Sequence, residues 1–158
     1  MITAIDTNIL LDLLIPNAEH AFASKALLDE AHKRGALIIS GVVYAELATQ
    51  FDSQIDLENF LGDTGIRLEP SGPKAFYQAG ELWRHYNLKR ENGWQCSQCG
   101  QKLQLKCSGC GTTVNKRQHI LSDFLIGSHA SEQADVLATR DRGYFRTYFK
   151  KLKILSST

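Results

Sequence analysis

The sequence predicts an α/β fold, a three-layer α/β/α sandwich with a central parallel sheet and an inserted zinc ribbon, on three observations. Short strand-like runs recur at residues 2–5, 37–39, 66–68 and 136–139, the first two apolar. The stretches between them carry helical spacing over ten or more residues, the arrangement of crossover units that bury a parallel sheet between layers of helices. The four cysteines, the chain's whole complement, fall in one segment as Cys96-Ser-Gln-Cys99-Gly100 and Cys107-Ser-Gly-Cys110-Gly111.

The first strand, 2–5, stops at Asp6-Thr7-Asn8, and Ile9-Leu10-Leu11 with Leu13-Leu14 resume as the first turns of a helix. Ala23, Ala26, Leu27 and Ala31 share one face of a helix over residues 21–32, which Gly35 ends as a C-terminal cap would. Leu37-Ile38-Ile39 is the second strand. Ser40 is the N-cap of a helix that carries Val43, Leu47 and Phe51 on one face, and Glu46 besides. Residues 56–61 form a short helix, 66–68 a third strand, and Pro73 opens a long helix that runs to about Lys89, where Asn92-Gly93 breaks it. Trp83 and Tyr86, three apart on that helix, read as packing residues. Beyond the cysteine segment, a helix runs from Arg117 to about Ser131 and a strand occupies 136–139, with Asp141 at its end. Residues 153–155 would add an edge strand.

The cysteine spacing carries a mechanism. One C-x-x-C turn aims two sulfurs at a common point, and a second completes a tetrahedron of thiolates about 2.3 Å from a zinc ion. The glycine after each second cysteine permits the positive φ with which the backbone curls round a metal. Lys102-Leu103-Gln104-Leu105-Lys106 alternates polar and apolar, as a short ribbon strand does. Disulfides in a secreted chain and a redox dithiol are the competing readings. The start, Met-Ile-Thr-Ala-Ile-Asp, has neither the basic region nor the apolar core of a secretory signal, which favours zinc ligation by Cys96, Cys99, Cys107 and Cys110 in a cytoplasmic protein.

At 158 residues and 43% hydrophobic content, the chain reads as a single domain, 1–158, with the zinc ribbon inserted at 92–115. No apolar run is long enough to span a membrane. The net charge of +1 provides no global basic field, so any contact with nucleic acid must come from local patches. Such patches exist: Arg84, Lys89, Arg90, Lys102, Lys106, Lys116 and Arg117 cluster near the insertion, and Arg140, Arg142 and Arg146 near the last acid.

In parallel α/β sheets, the functional crevice lies at the carboxyl ends of the strands. Asp6 and Asp141 fall there, and Glu46 and Asp123 lie on helices whose starts follow loops on the same side. Four carboxylates brought together repel one another unless cations fill the gap. An oxygen-only donor set suits Mg2+ or Mn2+ with several waters retained. Each acid also has a plainer reading. Asp6 before Thr-Asn is a common turn or N-cap residue, Glu46 an ordinary helix acid, and Asp141 a surface ion pair between Arg140 and Arg142. Asp123 precedes Phe-Leu-Ile in an apolar helix, a poor place for an unpaired charge. His119, four residues before Asp123, reads as a surface or supporting histidine.

Ile5-Asp6-Thr7-Asn8, Val43-Tyr44-Ala45-Glu46-Leu47, Asp123-Phe124-Leu125-Ile126-Gly127 and Thr139-Arg140-Asp141 together resemble, in order and interval, the four motifs of PIN-domain ribonucleases, particularly the VapC toxins of toxin–antitoxin pairs. The resemblance covers residues 1–89 and 118–158 and leaves the cysteine segment as an insertion. It implies a Mg2+- or Mn2+-dependent endoribonuclease in which Asp6 is the central ligand, Glu46 and Asp123 complete the first metal position, and Asp141 supports a second cation or its waters. Asn8 and Thr139 would orient ligands. It further implies a tRNA, rRNA or mRNA substrate, a small antitoxin protein as partner, and a homodimer. Lys102, Lys106, Lys116, Arg117 and Arg140 would then be RNA contacts. A PIN nuclease of RNA maturation or decay without an antitoxin, and a non-catalytic zinc module that binds RNA or protein, are the alternatives.

Overall fold

The computed structural model describes residues 1–16, 18–89, 94–95, 102–103, 105–114 and 121–156. The chain begins with β1 (Ile2–Ile5), α1 (Thr7–Leu14), α2 (Ala21–Arg34), β2 (Ala36–Ile39) and α3 (Gly41–Leu47). It continues through α4 (Gln54–Thr64), β3 (Ile66–Leu68) and α5 (Pro73–Lys89). Four two-residue strands follow, β4 (Trp94–Gln95), β5 (Lys102–Leu103), β6 (Leu105–Lys106) and β7 (Thr113–Val114), in the segment that the sequence reads as an insertion. The chain then returns to the sheet through α6 (Leu121–Gln133), β8 (Val136–Ala138), α7 (Arg142–Tyr148) and β9 (Lys153–Leu155).

Five parallel strands make the sheet, in the order β3-β2-β1-β8-β9, so residues 153–155 do close one edge. The central strands are short and apolar because helices cover them, as a parallel sheet requires. Ile5, Ile38, Ile39 and Leu137 of the sheet, Ile9 and Leu10 of α1, Leu47 of α3 and Phe124 of α6 are all almost completely buried in one core. Register places the site: Ile5 pairs with Ala138, and the backbone N–H of Asp6 donates to the carbonyl of Ala138 at 2.9 Å. Asp6 and Thr139, the next residue on each strand, therefore emerge side by side.

α5 and α6 pack antiparallel. Ser71, just before α5, meets His129 near the end of α6, while Trp83 and Tyr86 meet Phe124 at its start. Phe124 is gripped by four rings, with centroids 5.7 Å (Trp83), 5.8 Å (Tyr86), 5.3 Å (Tyr144) and 5.2 Å (Tyr148) away. Trp83 and Tyr86 are thus packing residues, as their spacing suggested. The same cluster fixes the backbone from which Asp123 projects.

Several boundaries differ from the sequence expectation. α1 begins at Thr7, two residues earlier than the apolar pattern, because the polar Thr7 and Asn8 complete its first turn. α3 ends at Leu47 in a 3-10 turn, so Phe51 leaves the helix face and instead meets Phe60 of α4 at 5.4 Å. α4 is longer than residues 56–61, since Ser53 caps it through the N–H of Asp56 at 3.2 Å and Gly65 closes it at φ 67°. α7 was not anticipated at all. Within the insertion, β4 pairs antiparallel with β5 and β6 with β7. Cys96, Cys99, Lys116, Arg117 and His119 lie outside the described residues, so the expectations placed on them have no structural counterpart. Among the described residues, no helix is long and apolar enough to cross a membrane.

Candidate active site

Asp6 stands at the N-cap position of α1, yet its side chain makes no cap bond. The N-cap reading of this residue therefore fails, and its carboxylate is held instead by the backbone N–H of Thr7 and by side chains of the site. It is 7% exposed, and its Oδ2 accepts from Thr139 Oγ1 at 2.6 Å and from Asn8 Nδ2. Thr139, fully buried, is saturated: its hydroxyl donates to Asp6 and accepts from Asn8 Nδ2 at 3.2 Å and from the N–H of Asp141 at 3.0 Å. Asn8 in turn accepts from the N–H of Arg140 at 3.2 Å through Oδ1. β1, α1 and the loop after β8 are thereby tied into one polar network around a single carboxylate.

Glu46 reaches the network from α3, where the hydroxyl of Thr7 donates to its Oε2. Asp123 projects from the first turn of α6. Burial pushes the Asp6 carboxyl up to about 6, against the hydrogen bond from Thr139, and the charges of Asp123 and then Glu46 push it the same way. Asp6, Glu46 and Asp123 are therefore close enough to feel one another. Asp141 is on the exposed rim. Its Oδ1 caps α7 by accepting from the N–H of Tyr144 at 3.0 Å, and its charge, like that of Asp123, helps burial raise the Tyr144 hydroxyl far above its ordinary range. Among the described residues, no three His, Cys, Asp or Glu side chains are drawn tightly enough together to form a ready metal cage. The donor set still fits a hydrated divalent cation. All its atoms are hard oxygens, the charges of Asp123 and Glu46 act on Asp6, and ions such as Mg2+ keep several waters between themselves and the protein.

Two residues that sequence reasoning did not single out belong beside this site. Asp12, 6% exposed on α1, accepts from Ser24 Oγ of α2 at 2.6 Å and pairs with Arg140 Nε at 3.0 Å. The signal was available: an aspartate inside the apolar run Ile9 to Leu14 must be buried with a partner. Arg140, which the sequence offered as an RNA contact, has its Nε committed to this pair. Lys106 is exposed on β6. In the second knuckle, the N–H of Gly111 donates to the carbonyl of Cys107 at 2.8 Å and that of Cys107 to the carbonyl of Thr112 at 2.9 Å, with Gly111 at φ 72°. Cys107 and Cys110 are unbridged, and hydrogen bonds from Thr112 hold the Cys110 thiol below its ordinary range, with one from Cys107 adding to them.

The sequence pattern of the PIN domain matches residues 3–150, a span that contains all four acids. The chain belongs to the PIN-domain family. No curated protein matches it in sequence. Solved structures similar to this PIN domain include VapBC2 from Rickettsia felis bound to a fragment of promoter DNA, with a TM-score of 0.60 at 20% identity over all of both chains. Another is VapBC-1 from nontypeable Haemophilus influenzae, with a TM-score of 0.62 at 19% identity, covering 99% of this chain and 98% of that one. A third is VapC20 of Mycobacterium tuberculosis, a toxin that cleaves the sarcin-ricin loop, with a TM-score of 0.56 at 12% identity over 96% and 98%. At such identities the likeness is one of fold.

Proposed function

We propose that this PIN domain is a Mg2+- or Mn2+-dependent endoribonuclease and the toxin member of a VapBC-type pair. The observation that carries the reading is the carboxylate of Asp6, buried, excluded from capping its own helix, and raised to about 6 beside Asp123 and Glu46. A fold does not hold such a group for stability alone, and perturbed acids converging at the ends of parallel strands mark functional sites. Family membership supplies the prior for a nuclease. The VapBC structures support a small antitoxin protein as partner, and the resemblance to VapC toxins implies a homodimer as assembly.

Asp6, Glu46 and Asp123 would hold the cation, with Asp141 supporting its waters or a second ion. When bound, it supplies a lowered pKa for an attacking water and offsets charge on the scissile phosphate. The protein's own contribution is orientation. Thr139 and Asn8 fix the Asp6 carboxylate from one side and Thr7 fixes Glu46 from another. The aromatic grip on Phe124 steadies Asp123. No side-chain nucleophile is needed.

Zinc in the insertion belongs to the same proposal. Cys107 and Cys110, with the tight turn closed at Gly111, form half of a four-thiolate site that Cys96 and Cys99 would complete, and metal binding there would add roughly 10–16 kcal/mol of apparent folding free energy. Lys102, Lys106, Lys116 and Arg117 would present positive charge to the RNA backbone beside the acids.

The experiment is RNA-end mapping in cells expressing the wild type or Asp6→Asn, paired with cleavage of tRNA, rRNA and mRNA substrates in Mg2+ or Mn2+. New, discrete 3′ and 5′ ends seen only with the wild type are expected. Equal cleavage by both proteins would remove the proposed site, and cleavage that no neighbouring small protein suppresses would shift the reading to RNA maturation or decay. Elemental analysis expects one zinc per chain, lost in Cys107→Ser/Cys110→Ser; a zinc-free wild type would end that part.

A further inference from the structure

Arg140 lies between two residues of the acidic site, Thr139 and Asp141, and α1 holds it at two points. Its backbone N–H donates to Asn8 Oδ1 at 3.2 Å, and its Nε meets Asp12 Oδ2 at 3.0 Å. Asn8 and Asp12 are four apart on α1, one turn along the same face. The Asp12 oxygen is pinned in turn by Ser24 Oγ of α2 at 2.6 Å. A backbone bond alone would leave the loop free to pivot. A second attachment one helical turn away removes that freedom, so the line Ser24–Asp12–Arg140 sets where Thr139 Oγ1 meets Asp6 and where the N–H of Asp141 sits.

We infer that Arg140, anchored by the buried Asp12, is a positioning residue of the acidic site rather than a contact for substrate phosphate. The chemistry supports this. Asp12 is 6% exposed, and a carboxylate this deep needs a cation; Arg140 Nε meets it at 3.0 Å, and withdrawing that group to grip a phosphate would strand the negative charge. An arginine fork also holds a planar geometry that a flexible ammonium does not, which suits a strut. Residues that orient ligands without touching the ion typically cost 10–100-fold in metal affinity or activity when removed.

The inference rests on the proposed nuclease reading for its kinetic arm, and a second arm is independent of it. For Asp12→Asn and Arg140→Gln, Mn2+ alone is titrated and followed by electron paramagnetic resonance, and both variants should bind it about tenfold more weakly. In RNA cleavage, both should lower kcat by a similar factor, leave KM within about twofold, and leave its salt dependence unchanged. The double variant should be no worse than the weaker single, because both break one strut. Ser24→Ala, which touches neither metal nor RNA, should show a milder shift of the same sign, and it serves if Asp12→Asn folds poorly. The inference is overturned if Arg140→Gln raises KM and flattens the salt slope by about one while Asp12→Asn behaves as wild type, the signature of a phosphate contact. It is equally overturned if all three variants lose only thermal stability and bind Mn2+ normally. An RNA-inactive wild type whose variants still lose Mn2+ affinity would count against the nuclease reading and sustain this one.

Discussion

Asp6→Asn should make the metal-free protein more stable while destroying its response to metal. The folded carboxyl titrates at about 6 against 3.8 ordinarily, because burial, Asp123 and Glu46 all disfavour its charge. The folded state therefore holds the proton more tightly than the unfolded chain. The cost of ionisation is absent below about pH 3.8, grows as pH rises towards the folded value, and is fully present above it. That gap is worth about 3 kcal/mol at neutral pH.

Asparagine escapes the cost but does not recover all of it. Its carbonyl can still accept from Thr139, whereas its amide must face the Thr7 backbone donor that now helps hold the charge. Allowing about 1–2 kcal/mol for that mismatch leaves a net gain of about 1–2 kcal/mol at pH 7.5, or a Tm rise of about 2–6 °C for a chain of this length. The assay is thermal and urea melting of both proteins from pH 4 to 8 in resin-treated, metal-free buffer. The difference between the two proteins isolates Asp6 and the acids coupled to it, Asp123 and Glu46, because titrations elsewhere cancel. Added Mn2+ should stabilise the wild type alone. A variant that is less stable at pH 7.5, or a wild-type-minus-variant difference that is flat across pH 4 to 7, would refute the account of Asp6 as a strained carboxylate.

Other consequences are as direct. Gly127→Ala would place a Cβ 2.3 Å from the Phe149 ring, so denaturant melts should show a loss of about 1–3 kcal/mol as α6 or α7 gives way. Phe124→Ala empties the middle of a five-ring cluster and should cost about 3–5 kcal/mol, with weaker Mn2+ binding because Asp123 loses its fixed backbone. His129 is 1% exposed with Nδ1 3.1 Å from Ser71 Oγ; burial holds it below its ordinary value of 6.5, with Glu69 and Glu132 only partly opposing. Its contribution is thus fully present above the ordinary histidine range and lost as pH falls below about 6.5, so stability measured between pH 6.5 and 5 should decline less in His129→Gln than in the wild type.

What was legible in the sequence was whatever local rules decide. Ile2 to Ile5 and Leu37 to Ile39 are apolar runs that a covered parallel sheet buries, and Ile66 to Leu68, with only Ile66 buried, joins them as an edge strand. Ser40 caps α3 through the N–H of Val43 at 3.4 Å, as its position before an apolar helix implied. α7 escaped because its signal is aromatic. Tyr144, Phe145, Tyr148 and Phe149 follow one another at helical spacing, and Asp141, weighed as a metal ligand or a surface ion pair, is also the N-cap that starts the helix. Its Oδ1 accepts from the N–H of Tyr144 at 3.0 Å, a capping role that its place between two arginines does not advertise.

The candidate site was legible in its acids and, through the family resemblance, in Asn8 and Thr139, but not in Thr7, Asp12 or Ser24. Asp6, Glu46 and Asp123 are separated by tens of residues, and only the register of Ile5 against Ala138 and the crossing of α6 over β1 make them neighbours. Thr139, Asn8 and Thr7 then determine which carboxylate oxygens remain available, and each of those bonds depends on a half-turn of backbone at the end of a strand. Asp12 and Arg140 make the same point from the other direction. Read singly, Asp12 looks like an anomaly in an apolar helix and Arg140 like a phosphate clamp; paired at 3.0 Å, the buried carboxylate has its cation and the exposed arginine has its Nε committed. A charged residue next to an acidic motif is therefore weak evidence for substrate contact until its partner is known, and here the partner lies 128 residues away in the chain, one helical turn from the motif it steadies.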